Sequence, residues 1–232
     1  RELCELSQKN TTLFSFNKKD QAYKMFITAS EYFGEENCFY ITTNLCNSHR
    51  IDVINEIKER INKKAICKVI STQCLDAGVD LSFDEGFKIL SPLNSIIQTA
   101  GRINRKAIST GTLTVFSLDD PEMKNMYPDL DYQNISEKIP YLIKKNKKID
   151  INKIETFDEY SQLVFSTITS EKDKLSLIEA ITNSDFESVN ENYKLIESKG
   201  CTIIVPYSNL YDEIYKELKS NSYVINKKLM KK

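Results

Sequence analysis

The chain has 232 residues, of which 41% are hydrophobic and 28% charged, the usual composition of one or two globular domains. No apolar run approaches the roughly 18 residues that a membrane span needs, and no signal-peptide pattern opens the chain. We therefore expect a cytoplasmic protein without a membrane partner. The net charge of −1 does not by itself indicate a nucleic-acid partner, although a basic groove can exist on a neutral protein.

The six cysteines form no Cys-x-x-Cys pair, and several of them lie inside apolar segments. This pattern predicts buried, reduced thiols rather than disulfides or a metal site. The cysteines are Cys4, Cys38, Cys46, Cys67, Cys74 and Cys201.

Segments typical of strands and helices alternate over the first half of the chain. Because helices of about 10–15 residues separate the strands, the order predicts right-handed crossovers and an α/β fold with a mainly parallel sheet flanked by helices. The strands are predicted at 12–16, 38–43, 66–71, 87–90 and 112–118, and the helices at 18–33, 49–62 and 95–103. The predicted inward residues of the first two helices are Ala22, Met25, Phe26, Ala29, Phe33, Ile51, Ile54, Ile57 and Ile61.

The second half departs from this alternation. Residues 119–170 form a polar connection, predicted as a linker or insertion, whose basic run at 144–148 is explained more simply as a solvated loop than as a DNA-phosphate contact. Residues 171–232 are predicted as a mostly helical accessory region. Its expected features are an N-cap at Ser184, a helix stop at Gly200, a strand at 202–207 and a last helix with Leu210, Ile214 and Leu218.

The stretch Q-T-A-G-R-I-N-R, Gln98 to Arg105, carries the strongest chemical signal. On a continuous helix, Gln98, Arg102 and Arg105 would fall within an arc of about 60°. Arginine suits a phosphate partner because its planar guanidinium stays charged and can bind phosphate oxygens through two hydrogen bonds. An amphipathic helix with solvated arginines would give the same pattern, so the stretch alone does not decide the function.

A second polar stretch, S-T-Q-C-L-D-A-G-V-D-L, runs from Ser71 to Leu81 directly after an apolar strand. Such an arrangement brings hydroxyls, backbone amides and a carboxylate to the carboxyl edge of a parallel sheet. Ligands of open α/β folds bind at that edge.

The two stretches resemble motifs V and VI of superfamily 2 nucleic-acid helicases. The whole run from Ser71 to Arg105 is similar to the CRISPR-associated helicase-nuclease of type I systems, with Asp76 where that family usually carries Glu and Asn94 where it often has Asp. The resemblance implies the second RecA-like lobe of an ATP-dependent DNA helicase that acts in CRISPR interference.

The resemblance also implies roles for individual residues. Arg102 and Arg105 would reach the γ-phosphate of ATP, and Gln98 would orient the nucleotide or the attacking water. The implied nucleotide-binding residues are Gly78, Asp80 and Gly101, and the implied DNA-binding residues are Ser71, Thr72, Asn17 and Arg50. At Thr42 and Thr43 the chain departs from the His-Ser of the family, so a DNA contact and a structural role stay equally open there.

Half of an ATPase site is missing from the sequence. It contains no Gly-x-x-x-x-Gly-Lys-Ser/Thr phosphate loop and no Asp-Glu-x-His motif, and His49 is its only histidine. Because the chain starts at Arg1, we expect an excised C-terminal portion of a longer protein that does not hydrolyse ATP alone. In the full-length protein, ATP and Mg²⁺ are the expected cofactors, with Mg²⁺ held by the first lobe.

The partners that the resemblance implies are single-stranded DNA, the first RecA-like lobe, a nuclease domain and the CRISPR guide-RNA surveillance complex. Two alternatives stay open on the sequence: the second lobe of another superfamily 2 motor, and a RecA-like module that only binds. A phosphate loop upstream of Arg1 would argue against the binding module, and a His-Asp nuclease segment ahead of that loop would argue against another motor.

Overall fold

A computed structural model of the protein describes residues 1–76, 78–107, 110–118, 126–146, 149–166, 178–192, 205–207 and 210–220. The chain divides into two compact units, Arg1–Asp150 with Tyr207–Leu210, and Ile151–Pro206 with Tyr211–Lys232. Both predicted motifs lie in the first unit. The predicted domain boundaries after residues 118 and 170 stay predictions.

The first unit is built on one sheet of five parallel strands, so the predicted α/β fold class is confirmed. The strand order is β2-β3-β1-β4-β5, and every neighbouring pair is parallel. The strands are β1 (Thr11–Ser15), β2 (Cys38–Ile41), β3 (Cys67–Ser71), β4 (Glu85–Ile89) and β5 (Thr112–Phe116).

Helices cover both faces of the sheet. The helices of the first unit are α1 (Glu2–Leu6), α2 (Lys19–Phe33), α3 (Asn47–Asn62), α4 (Leu93–Ala100), α5 (Leu130–Ser136) and α6 (Lys138–Asn146). Residues of α1 and α2 pack with Phe14, Ile70 and Phe87 on one face. On the other face, Ile57 of α3 packs with Leu13 and Val69. Side chains alternate across a strand, so three adjacent strands contribute to both cores.

The predicted stripes of the two long helices are confirmed in part. Ala22, Met25 and Ala29 are buried on α2. On α3, Ile57 is fully buried, but Ile51 is 58% exposed, so its predicted inward orientation is wrong. Ile51 lies six residues before Ile57, which places it roughly 120° around a helix with about 3.6 residues per turn, away from the buried face.

The segment after β5 is more helical than a linker. The predicted solvated loop at 144–148 is wrong for Lys144 and Lys145, which lie in the last turn of α6, where cations stabilise the helix dipole. Residues 147–148 lie outside the described part of the chain.

The described parts of the second unit are helical. They are α7 (Ile154–Phe165), residues 178–182, α8 (Phe186–Asn192) and α9 (Leu210–Ser220), the last of which begins within the first unit. The predicted N-cap Ser184 is wrong, because Asp185 accepts the Ser188 N–H at 3.1 Å while Ser184 has a positive φ of 57°. Residues 205–207 are irregular rather than strand, and Leu175, Gly200 and residues 201–204 lie outside the described residues.

Burial governs the chemistry of the cysteines. Five free cysteines are described, and Cys201 lies outside the described residues. Burial raises the pKa of Cys38 to about 11 and that of Cys67 to about 12. Both thiols therefore stay protonated at neutral pH, which makes them poor nucleophiles. Among the described residues, no helix is both long and apolar enough to cross a membrane.

The packing of α3 gives a direct test of the fold. Ile57→Ala should lower the free energy of unfolding of the chain by about 2–5 kcal/mol, because it leaves a cavity in the core. Ile51→Ala, on the same helix, is the matched control and should change it by less than about 0.5 kcal/mol. Urea unfolding followed by circular dichroism measures both values. Equal losses would contradict the orientation of α3.

Candidate functional site

Motif V forms the loop that follows β3. The chain leaves the sheet at Ser71, makes a short 3-10 turn at Gln73–Leu75 and continues past Gly78. Gly78 has a φ of +77° and no atom within 4 Å of the place where a Cβ would stand. Its requirement for glycine is therefore a matter of backbone conformation and not of space.

Motif VI is not one continuous helix. α4 ends at Ala100, and the following residues form a parallel bridge in which Phe83 N–H donates to Arg102 O at 2.9 Å and Asn104 N–H donates to Phe83 O at 2.7 Å. Asn104 then has a positive φ of 47°. Gln98 thus lies on the helix, whereas Arg102 and Arg105 lie beyond it. The prediction that all three share one helix face is wrong, because the bridge to Phe83 replaces the continuation of the helix.

The bridge packs closely against β4, where Ile103 lies over Gly86. A Cβ on Gly86 would lie 2.6 Å from Ile103 Cδ1, so a larger residue at this position would force the Ile103 side chain to shift. Ile103 is 9% exposed and packs with Phe83 and Leu81 in the core on this face. The end of motif VI is therefore held by apolar packing as well as by hydrogen bonds.

The Arg102 side chain holds motif V. Its Nε and Nη2 donate to Asp76 O at 3.2 and 2.7 Å, and its Nη1 donates to Val79 O at 2.6 Å. These hydrogen bonds run from a charged group to two backbone carbonyls of motif V. The guanidinium therefore holds Asp76 and Val79 against the end of α4.

Arg105, by contrast, faces solvent. Its Nη1 lies 3.2 Å from Asp80 Oδ1, with side-chain exposures of 45% and 80%, and its backbone N–H donates to Ser82 Oγ at 3.0 Å. The pair lines an open cleft of about 540 Å³ together with Lys58 and Lys106. Exposed ion pairs contribute only about 0–1 kcal/mol. A more highly charged anion such as a phosphate can therefore replace Asp80 as the partner of Arg105.

Below the loop lies a buried ion pair that the sequence analysis did not identify. Lys88 Nζ lies 3.4 Å from Asp76 Oδ2, with side-chain exposures of 0% and 5%, and it also donates to Ser15 Oγ at 2.9 Å. Burial lowers the pKa of Lys88, and the charge of Asp76 acts in the opposite direction.

Asp76 also holds the helix of motif VI. Its Oδ1 accepts the hydroxyl of Thr99 at 2.9 Å, and its Oδ2 accepts the hydroxyl of Ser95 at 3.3 Å. Asp76 therefore contacts α4 with its carboxylate and receives Arg102 with its carbonyl, so that one residue connects motif V, motif VI and β4.

Gln98 lies in a different pocket from Arg105. It is exposed and lines a cavity of about 260 Å³ with Gln73, Asn94 and Tyr132. Tyr132 belongs to α5, in the segment predicted as a linker, and its hydroxyl accepts from Gln73 Nε2 at 2.5 Å and donates to Asn17 Oδ1 at 3.0 Å. Gln98 and Arg105 therefore lie in different pockets, although both belong to motif VI.

Of two residues expected to contact DNA, Asn17 is occupied by hydrogen bonds within the protein, and Arg50 is occupied only in part. The Asn17 amide donates to Leu90 O at 2.9 Å and accepts the hydroxyl of Ser91 at 3.0 Å as well as that of Tyr132. Arg50 donates from Nη2 to Thr42 O at 3.5 Å, and its Nε is buried without a hydrogen-bond partner among the described residues.

The hydroxyl residues at the end of β3 are buried. Ser71 is fully buried, and within the described part of the chain its hydroxyl has no partner. Thr72 is 8% exposed, with its hydroxyl 3.7 Å from Cys74 Sγ and its N–H donating to Ile41 O at 3.4 Å. Of the two threonines left open by the sequence, Thr42 is fully buried and Thr43 is exposed.

Gly101 is the last predicted nucleotide-binding residue to be placed. Gly101 is exposed and has an ordinary φ of −64°, and a Cβ there would meet only normal van der Waals contacts, with Gln98 O at 3.4 Å.

The described residues contain no group of three or more His, Cys, Asp or Glu side chains that could hold a metal ion.

One signal in the sequence points to the ion pair. A lysine inside the apolar run G-F-K-I-L can be buried only if it has a partner, and Asp76 is an acid near the end of the neighbouring loop. No comparable signal identifies Tyr132, because its position depends on the course of the chain after β5.

Comparisons with known proteins agree with this geometry. Residues 8–108 match the family model of the C-terminal domain of the CRISPR-associated nuclease/helicase Cas3. The chain is 45% identical over 60 residues to the CRISPR-associated nuclease/helicase Cas3 of Haloferax volcanii, and 32% identical over 103 residues to that of Methanothermobacter thermautotrophicus. These alignments cover 25% and 44% of this chain and 6% and 12% of the relatives, so the chain spans a small part of their length.

Solved structures show the same fold. Cas3 of T. fusca with AMPPNP superposes with a TM-score of 0.55 at 14% identity, covering 82% of this chain and 23% of that chain. A chain of a CRISPR RNA-guided surveillance complex in a pre-nicking state gives 0.53 at 14% identity, covering 83% of this chain and 25% of that chain. The family match spans both motifs and four of the five strands, so residues 8–108 belong to the C-terminal helicase domain of the Cas3 family.

Proposed function

We propose that this lobe is the second motor lobe of an ATP-dependent DNA helicase that acts in CRISPR interference. Arg105 would act across the interlobe cleft on the γ-phosphate of ATP, and Mg²⁺ would be held by the first lobe. The observation that carries the proposal is the exposure of Arg105 beside Asp80, in a cleft where Lys58 and Lys106 add positive charge.

The two arginines would divide the work between them. Arg102 already donates three hydrogen bonds to motif V, so its main contribution would be to hold Gly78 and Asp80 at the nucleotide. Arg105 has a weak, exposed partner and can turn to a phosphate without a large desolvation cost. An arginine that meets charge developing in the transition state raises kcat more than it strengthens ground-state binding.

The nucleic-acid side would lie at the carboxyl end of β3. Thr72, with backbone amides of the loop that follows, would contact a phosphate of single-stranded DNA, since small hydroxyls and amides bind phosphates without reading sequence. In this proposal Asn17 and Arg50 support the DNA-binding edge through their contacts with Leu90 and Thr42. Ser71 is fully buried, so in this proposal it supports the DNA-binding edge without touching DNA itself.

Gln98 and Gly101 would complete the nucleotide side when the two lobes meet. Gln98 would orient the nucleotide or the attacking water, and Gly101 would let the ligand approach the end of α4. The other partners would be the first RecA-like lobe, a nuclease domain and the CRISPR guide-RNA surveillance complex. The relatives named as nuclease/helicase and the likeness to a surveillance-complex structure support this set.

The role of Arg105 can be tested by kinetics. In the complete protein, Arg105→Ala should lower kcat for ATP by about 10³-fold or more at saturating DNA, with a smaller effect on nucleotide binding. Arg105→Lys should not restore the rate, because an ammonium lacks the planar arrangement of donors. Lys63→Ala, which removes another exposed, ion-paired cation, is the control. Near-normal turnover of Arg105→Ala would reject the assignment.

Arg102→Ala separates the two arginines when the stability of each variant is measured by urea unfolding. It should lower the free energy of unfolding by about 2 kcal/mol or more, since it removes three partly buried hydrogen bonds from a charged donor. Arg105→Ala should change that free energy by less than about 0.5 kcal/mol.

The role of Thr72 can be tested by its response to DNA. Thr72→Val in the complete protein keeps the shape and removes the hydroxyl, so DNA-stimulated ATP hydrolysis should fall by about fivefold, equivalent to ~1 kcal/mol for one neutral hydrogen bond. Basal nucleotide binding should persist. The control is Thr28→Val, whose hydroxyl donates to Lys24 O within α2. Unchanged stimulation by DNA would make Thr72 a structural residue.

A further inference from the structure

We propose that Lys88 is a positioning residue that couples the DNA side of this lobe to its phosphate side through Asp76. The proposal deepens the proposed function and rests on it. Lys88 touches neither DNA nor nucleotide in this account, because its side chain is fully buried in the sheet. It would act by fixing the residue on which motif V and motif VI converge.

Lys88 lies in a row of polar side chains that crosses three strands of the sheet. In register across β3, β1 and β4 lie Ser71, Ser15 and Lys88, so that these three side chains form a polar row at the carboxyl edge on one face. Lys88 Nζ donates to Ser15 Oγ at 2.9 Å and approaches Asp76 Oδ2 at 3.4 Å. The ammonium thus connects the end of β1 with the loop of motif V.

Asp76 joins the two motifs through its own contacts. Its backbone N–H donates to Gln73 O at 3.0 Å, which places it one 3-10 turn after Gln73, the residue that follows Thr72. Its carboxylate accepts the hydroxyls of Ser95 and Thr99 on α4. Its carbonyl accepts two hydrogen bonds from Arg102. A displacement of the turn at Gln73 must therefore move Asp76, and with it the segment that carries Arg102 and leads to Arg105.

The charges of Asp76 and Lys88 compensate each other. Asp76 is 7% exposed and Lys88 is not exposed, so each charge depends on the other within a region of low dielectric. Removing one partner of such a pair leaves an uncompensated buried charge. Without Lys88, the Asp76 carboxylate would turn toward solvent, which breaks the geometry that joins the turn at Gln73 to α4.

The chain contains a matched control. Lys68 on β3 is also buried, but it lies at the amino end of the sheet on the opposite face, where Nζ donates to Ser7 Oγ at 2.9 Å and Thr12 Oγ1 at 3.0 Å. It also lies 4.6 Å from the ring centre of Phe33. Lys68→Met removes a buried ammonium that contacts neither motif.

The experiment compares Lys88→Met, Lys88→Arg and Lys68→Met in the complete protein. Three quantities are measured: kcat of DNA-stimulated ATP hydrolysis, affinity for ADP, and affinity for ADP with aluminium fluoride as a transition-state mimic. Lys88→Met should lower kcat and the affinity for the mimic by about tenfold or more, with the affinity for ADP unchanged within about twofold. Lys88→Arg should retain most of the activity. Lys68→Met should lower the melting temperature but not the DNA-stimulated kcat.

Equal kinetic losses in Lys88→Met and Lys68→Met would overturn the proposal, as would parallel losses of affinity for ADP and for the mimic. Should Lys88→Met fail to fold, Thr99→Val tests the same connection, since it keeps the ion pair and removes the hydroxyl that donates to Asp76. Thr99→Val should also lower kcat, without reducing the affinity for ADP. A wild-type kcat would contradict the coupling. Arg105→Ala with normal turnover would instead refute the proposed function itself.

Discussion

The arrangement of the site depends on the buried contact between Asp76 and Lys88. An ionised carboxylate is unstable in an apolar interior unless it is paired and hydrogen-bonded, and Asp76 satisfies this condition with Lys88, Ser95 and Thr99. Each of these partners belongs to β4 or α4. The loop of motif V therefore keeps a defined place only while strand, loop and helix stay together. The geometry of the cleft follows from this requirement.

The two arginines of motif VI differ because the backbone carries them in different directions. Arg102 lies where the chain bridges to Phe83, so its guanidinium points back to the carbonyls of motif V. Arg105 follows Asn104, whose left-handed conformation turns the chain outward to the cleft. Arg102 thus stabilises the loop, and Arg105 is positioned to bind an anion. Their spacing in sequence does not reveal this division.

The sequence was sufficient to predict the parallel sheet, because alternating apolar segments with helical crossovers allow few topologies. It was also sufficient for the two motifs, whose family resemblance is confirmed by the match over residues 8–108. It failed at the end of α4, where local helix periodicity competes with a long-range bridge to Phe83. Tyr132 was missed for a related reason: its contacts with Gln73 and Asn17 join residues far apart in sequence, and no local pattern encodes them.

Hydrogen exchange of the motif V loop tests most directly whether Arg102 holds that loop in place. Peptides covering residues 73–83 include the protected amides of Asp76 and Phe83. Arg102→Met should accelerate exchange of this segment by about tenfold or more, which corresponds to ~1.4 kcal/mol of local opening, whereas Arg105→Met should leave it unchanged. Equal exchange rates in Arg102→Met, Arg105→Met and the unaltered protein would contradict the account.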